Sequence, residues 1–467
     1  MTWSPGGDRF TSAGESRVDA ATVQRLTTRE ERRFATANAT SRHTYDEARK
    51  VLAGGVVSSF QLQHPWPVYL ERALSSTVWD VDGNSRRDFH NGFGAMLQGH
   101  AHPSITDAIA RAAARGTQVG ATGEDAVAVA AALRDRWNLE SWRFATTGSE
   151  ATMDALRIAR AATGRDVVVK MFGAYHGHHD AVLVSVGDDD GGADRVSLPS
   201  LSAGEGIPAD VVALTAAAPF NDAAALDQRL GGLAAEGRPA ACVIVEPVFQ
   251  MGVLVPEPAY LASVREVTRS HGVLLVFDEV KSGFAVGPAG FTGECGVEPD
   301  LVTLGKALGG GLPVAAVGAS TTTMELVAAR RVYQVGTFNG NALAMLVARE
   351  NLERVLTPEA HKRLAELGSL MADGCRHVLD HAGRAGHGAF VGARGFVSLT
   401  PAPARDHTEV ARAHPPELSR LAWLYLMNRG LFVTPARPLQ WMAGLGHTEE
   451  DVATYLGVFE ELVSELR

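Results

Sequence analysis

The residues from Val273 to Pro313 constrain this chain more than any other stretch. Val273–Phe277 is an unbroken apolar run that ends in Asp278 and Glu279. Such a run is the pattern of a parallel strand buried on both faces. A second short run, Leu301–Leu304, is followed by Gly305, Lys306 and, two residues on, a triple glycine. In open α/β sheets, ligands sit at the carboxyl ends of the strands. An acid and an amine therefore each leave a buried strand, an arrangement that sets both on one side of a sheet.

That pairing suits pyridoxal phosphate. The cofactor needs a lysine for its Schiff base and an acid to keep its ring nitrogen protonated, so that the ring can draw in electrons. The chain has five lysines: Lys50, Lys170, Lys281, Lys306 and Lys362. Lys50 and Lys362 lie in helix-like polar contexts and are expected to be solvated. Lys170 closes the Asp166–Lys170 run, and Lys281 lies in a loop beside the acids. Only Lys306 follows a strand and precedes glycines that let a bulky ligand approach the backbone. On residues alone, a surface lysine before a glycine turn accounts for it equally well.

Upstream, Trp142–Ala145 predicts a short strand running through Thr146, Thr147, Gly148, Ser149 and Glu150 into a helix over Ala151–Ala162. A strand, a small-hydroxyl turn and a helix N-terminus make a phosphate cradle, because free N–H groups and the helix dipole both favour an anion. An ordinary N-cap with a nearby glutamate explains the same residues. No Gly-Lys-Ser/Thr follows, so this is not a Walker loop. The next strand, Val167–Met171, delivers Phe172, Gly173, Ala174, Tyr175 and His176. His176, His178, His179 and Asp180, like the His100/His102 pair, carry metal-ligand residue types, but no complete ligand set accompanies them and no metal is expected.

Six segments, FATTGSEA, YHGHHD, VEPV, FDEVKSGF, LVTLGKALGGGLP and GTFNGNALAM, occur in this order. Together they resemble the class III aminotransferases of the fold-type I pyridoxal-phosphate enzymes, in the glutamate-1-semialdehyde aminomutase-like branch. The resemblance runs from about Val51 to Asp451. It implies an α/β fold with a large, doubly wound, mostly parallel sheet and a smaller α+β domain. The expected division is an N-terminal arm and part of the small domain over 1–95, a large cofactor domain over 96–345, and the rest of the small domain over 346–467. Lys306 and Asp278 would be catalytic. Thr147, Gly148 and Ser149 would meet the phosphate, Tyr175 would stack on the ring, and His176 and Glu246 would line the cofactor. Thr337 would reach the phosphate of a neighbouring subunit, so a homodimer is implied. The acidic and glycine-rich stretch from Asp188 to Pro208 is similar to a gating loop, and reads equally as a solvated surface loop.

Three departures bear on the substrate. The resembled aminomutases carry a carboxylate-gripping arginine where Gln61 stands here, and a neutral amide cannot replace a guanidinium. Ala285 stands where the motif after Asp278 often continues with arginine. Phe249-Gln250-Met251 replaces a Gly-Asn pair and is one residue shorter. Arg394 and Arg437 remain as carboxylate candidates, though each reads first as an ordinary structural or surface arginine. The expectation is an aminotransferase acting on an amine, aldehyde or β-amino acid. The aminomutase itself, a racemase or decarboxylase on the same scaffold, and a catalytically silent cofactor binder stay open.

Composition narrows the partners. A formal charge of −10 argues against a nucleic-acid face. No apolar run approaches a membrane span, and the polar start MTWSPGGDRF lacks a signal-peptide core. Three scattered cysteines suggest neither disulfides nor zinc. A soluble, cytoplasmic protein is the expectation.

Overall fold

The computed structural model describes residues 8–14, 18–186, 195, 198–400, 403–413, 415–435, 437 and 439–466. Its centre is a seven-stranded sheet in the spatial order Ser141–Ala145, Ala315–Ala319, Leu301–Leu304, Leu274–Asp278, Ala240–Val245, Val167–Met171 and Thr215–Ala218. Ala315–Ala319 pairs antiparallel with both its neighbours, and the other neighbouring strands pair in parallel. The parallel strands read as continuous Val/Ile/Leu/Ala runs because helices cover both faces. Ala240–Val245 is buried at every position.

The carboxyl ends of five of these strands converge on one edge. They deliver Thr146, Lys306, Asp278, Glu246 and Phe172 within one residue or two of the strand end. The strand carrying Asp278 extends one residue beyond the apolar run, so Asp278 is its last residue and is paired with Thr303 of the next strand.

Two four-stranded sheets join the two ends of the chain. One contains Asp8–Ser12, Gly386–Val391, Arg394–Ser398 and Gln440–Met442; the other contains Leu70–Leu74, Thr77–Asp80, Ser85–Asp88 and Leu431–Phe432. The fold is thus α/β with a large, mostly parallel sheet and a smaller α+β part. Gly386–Val391 and Arg394–Ser398 form a hairpin bent at Gly392 (φ 54°), a left-handed conformation that suits glycine. Near the start of the chain a helix runs over Ala39–Ala48. Its start is held by Asp82, at the tip of a distant hairpin, whose carboxylate accepts from Thr40 N at 2.5 Å and Ser41 N at 2.9 Å.

Of the proposed gating stretch, residues 188–194 and 196–197 lie outside the described residues. Ser200–Ser202 forms a small ribbon with Val184–Val186. No helix among the described residues is long and apolar enough to cross a membrane.

Candidate active site

Asp278 and Lys306 lie at the ends of neighbouring strands, as the two apolar runs require. The Asp278 carboxylate is held from three sides. His176 Nδ1 lies 2.7 Å from Oδ2, while Val280 N and Thr303 Oγ1 donate to Oδ1 at 3.0 and 3.1 Å. His176 Nε2 is buried without a partner among the described residues. Lys306 has φ 47°, an uncommon backbone conformation for a residue with a side chain. Its amine is pushed below the usual lysine range, chiefly by burial; Asp278 and Glu246 oppose the shift and Arg394 adds to it. A lysine held this way keeps more of its neutral, nucleophilic form.

The helix Gly148–Thr163 begins beside this pair. Thr147 is its N-cap in a reciprocal capping box with Glu150. The Glu150 carboxylate accepts from the Thr146 and Thr147 N–H groups, each at 2.8 Å. Of the three residues expected at a phosphate, Thr147 therefore has its N–H and hydroxyl engaged by the cap, and the Gly148 and Ser149 N–H groups at the helix start have no partner among the described residues. The N-cap reading of this turn thus holds at Thr147 and Glu150. Ser149 Oγ lies 3.1 Å from His178 Nδ1.

Two glycines shape the floor. A Cβ on Gly148 would stand 2.6 Å from Val280 Cγ1, and one on Gly305 would stand 3.3 Å from the same atom. Val280 thus lies against both the helix start and the residue before Lys306, and side chains there would fill the space.

Tyr175 and Glu246 are linked directly. Glu246 accepts from Tyr175 N at 2.9 Å and from Gln250 N at 2.7 Å, and burial pushes its carboxyl upward. Lys170, fully within the sheet, donates to the carbonyls of Ala174 and Val182 at 2.7 and 2.8 Å, which further fixes the segment bearing Tyr175.

Gln61 is exposed at the end of the short 3-10 turn Ser59–Gln61. Its neighbour Phe60 is the residue that reaches the site, packing edge-on to Tyr175 at 5.5 Å and against Phe93 at 5.8 Å. Phe93, with φ 59°, also meets His90 at 4.2 Å. Thr337 is exposed, and its carbonyl accepts from Gln118 Nε2. Arg394 is fully buried, with Nε and Nη1 unpaired among the described residues. The other histidines are engaged locally. His100 Nε2 lies 2.6 Å from Asp88, and His179 Nε2 lies 3.3 Å from Thr152 Oγ1.

Three residues at the site were not singled out from sequence: Phe60, Phe93 and, as a site residue, Lys281. Lys281 was visible as a lysine beside the acids, and that proximity was the available signal.

A lysine and a hydrogen-bonded acid at adjacent parallel-strand ends, next to a free helix N-terminus, define a fold-type I pyridoxal-phosphate enzyme. The residues fit that cofactor on two observations: the Gly148/Gly305 floor that a Cβ would fill, and the unpaired His176 Nε2 behind Asp278. Comparison with known proteins agrees. The aminotransferase class-III family model matches residues 59–394, and the chain belongs to that family. It is 36% identical over 443 residues to the glutamate-1-semialdehyde 2,1-aminomutase of Chloroflexus aggregans, covering 91% of this chain and 98% of the relative. A glutamate-1-semialdehyde aminomutase from Pseudomonas aeruginosa PAO1, solved in complex with PMP, superposes with TM-score 0.88 at 30% identity, covering 96% of this chain and all of that one. An omega-transaminase from Sphaerobacter thermophilus superposes with TM-score 0.84 at 31% identity, covering 91% and 98%. The cofactor of this family, and of this chain, is pyridoxal phosphate.

Proposed function

We propose that the chain is an aminotransferase that moves an amino group between an amine or β-amino acid and a carbonyl acceptor. The observation that supports this best is the Lys306–Asp278 arrangement combined with a neutral, exposed Gln61 at the place of the aminomutases' arginine. Bound pyridoxal phosphate supplies an aldehyde for an amine and a ring that takes up an electron pair. The remaining roles fall to the protein's own groups. Lys306 Nζ takes a proton from the substrate carbon and returns one, the work of a general base with a lowered pKa. Asp278, oriented by His176 and Thr303, would hold the charge of the ring nitrogen. The Gly148 and Ser149 N–H groups would hold the phosphate, and Tyr175, backed by Phe60, would cover the ring.

Aminomutase action is the second reading, favoured by the names of the relatives. Mixing purified protein with one donor and no acceptor separates the two. A transaminase releases one carbonyl product per active site and shifts the absorption band, whereas a mutase isomerises its substrate and releases none. A Lys306→Ala variant that kept a borohydride-reducible link to the cofactor would rule out both readings.

A homodimer forms part of this proposal. Tyr333, Val335 and Phe338 are 71%, 66% and 59% exposed around Thr337, and Val119 at 59% is close by in the loop whose Gln118 bonds to Thr337. An apolar cluster of this kind marks an interaction surface, and a second copy seated there would bring Thr337 near its partner's site. Sedimentation showing only monomer at micromolar concentration would refute it.

A further inference from the structure

Lys281 is a second amine, close enough to Lys306 for the two to act on each other electrostatically. Among the described residues it has no hydrogen bond to an acid, and like Lys306 it remains partly accessible although its surroundings are densely packed. Those surroundings are contiguous. A Cβ on Gly94 would stand 2.9 Å from Met442 Cε and 3.9 Å from Lys281 Cε, and Met442 pairs with Arg394 across the small sheet. The hairpin carrying Arg394 docks on the turn just after Lys281. Ala393 N donates to Ala285 O at 2.8 Å, and a Cβ on Gly392 would stand 2.2 Å from that oxygen.

Arg394 is the strongest part of the observation. Its guanidinium is fully buried, two of its nitrogens lack partners among the described residues, and the third makes only a 3.4 Å bond to Phe249 O. A buried charge without a partner is costly, and sites that retain one use it on a ligand. Arg394 and Lys306 both bear on Lys281, whose amine is held well below the usual lysine range by burial first and by these cations next. Arg437, half-buried nearby, adds a further positive charge, and Glu246 is the acid facing the group. Gly148 and Ser149, which receive the phosphate in the reading above, belong to a different element, so these cations are left for another anion. Phe60, Phe93 and Tyr175 form an apolar cluster, and Phe93 immediately precedes Gly94, where an added Cβ would stand 3.9 Å from Lys281 Cε.

Building on the aminotransferase reading, we infer that Lys281 and Arg394 together receive the carboxylate of the substrate. The substrate class is then an amino acid with an apolar or aromatic substituent, held between this cationic end and the Phe60–Phe93 cluster. The carboxylate is bound by a lysine and an arginine from two different domains, neither of them at the position of Gln61.

The test titrates holoenzyme with 3-phenylpropanoate, which carries no amine and cannot react, and with its neutral amide, by calorimetry. Wild type should prefer the carboxylate, and Lys281→Met should weaken its binding roughly tenfold or more while leaving the amide unchanged. Arg394→Lys, which keeps a buried cation, should give an intermediate loss. Because Arg394→Met could fail to fold, Lys281→Met, with a side chain of similar length, carries the test. Equal binding of acid and amide by wild type, or unaltered acid binding by Lys281→Met, would overturn the inference. The titration needs no turnover, so an intact carboxylate response without transamination would count against the reaction and not against this subsite.

Discussion

His176 Nδ1 and Asp278 Oδ2 lie 2.7 Å apart at the buried edge of the central sheet, although the two residues are 102 positions apart in sequence. His176 fixes one oxygen of the acid, while Thr303 and Val280 fix the other. The carboxylate therefore has one orientation, which a reaction that relies on a pre-set charge requires.

Removing that acid should be more damaging than removing its supports. Asp278→Asn is expected to lower kcat by roughly 10²–10³-fold, the scale of losing one pre-organised electrostatic group. Thr303→Val should cost about tenfold or less, since His176 and Val280 N still hold the carboxylate. Steady-state kinetics on both variants decides this; equal losses would mean that orientation, not charge, dominates.

The glycine floor makes a separate prediction. At Gly148 an added Cβ stands 2.6 Å from Val280 Cγ1, so Gly148→Ala must displace Val280 or the helix start. Overpacking of this kind destabilises by about 1–3 kcal/mol. The expected outcome is a Kd for pyridoxal phosphate at least tenfold weaker, read by absorption titration of the apo protein. Gly164→Ala, at an open helix end, should leave that Kd unchanged.

Acid should destabilise the protein through buried histidines. Burial pushes His90, His179 and His361 down to about 4. All three folded values lie below the unfolded one, so the folded state holds the neutral ring. The contribution is complete above about pH 6.5 and is lost as pH falls toward 4, at up to about 1.4 kcal/mol per pH unit for each ring. Chemical denaturation between pH 7 and 4.5 should show this slope. His361, whose Nε2 is buried and unpaired, offers the cleanest variant: His361→Gln should reduce proton uptake on unfolding by about one.

A buried ion pair within the Thr77–Asp88 hairpin positions an arginine that also bonds the C-terminal part of the chain. Arg86 donates to Asp80, to Asn38 Oδ1 at 3.0 Å and to Met427 O at 3.1 Å. Breaking it by Arg86→Met leaves a buried carboxylate and should cost about 3–5 kcal/mol. A urea midpoint unchanged from wild type would show that the pair contributes nothing net.

Much of the core of the site was legible in the chain. Apolar runs mark buried parallel strands, and the residue after such a run necessarily emerges at the sheet edge. The positions of Asp278 and Lys306 at strand ends follow from that rule, whereas the helix read from Ala151 begins three residues earlier, at Gly148. The local capping box was also legible, because Thr147 and Glu150 lie within one turn. Other positions depend on contacts that no local pattern encodes. Phe60 meets Tyr175 only because the N-terminal segment folds back over the cofactor domain. Arg394, a carboxylate candidate in sequence, comes near Lys281 only because its hairpin docks on Ala285, more than a hundred residues earlier. The sequence by itself determined the strand ends and hence the lysine, the acid and the helix terminus, since these follow from periodicity and chain direction. The tertiary structure decided which distant charges face them, because packing between domains sets which buried groups are left without partners.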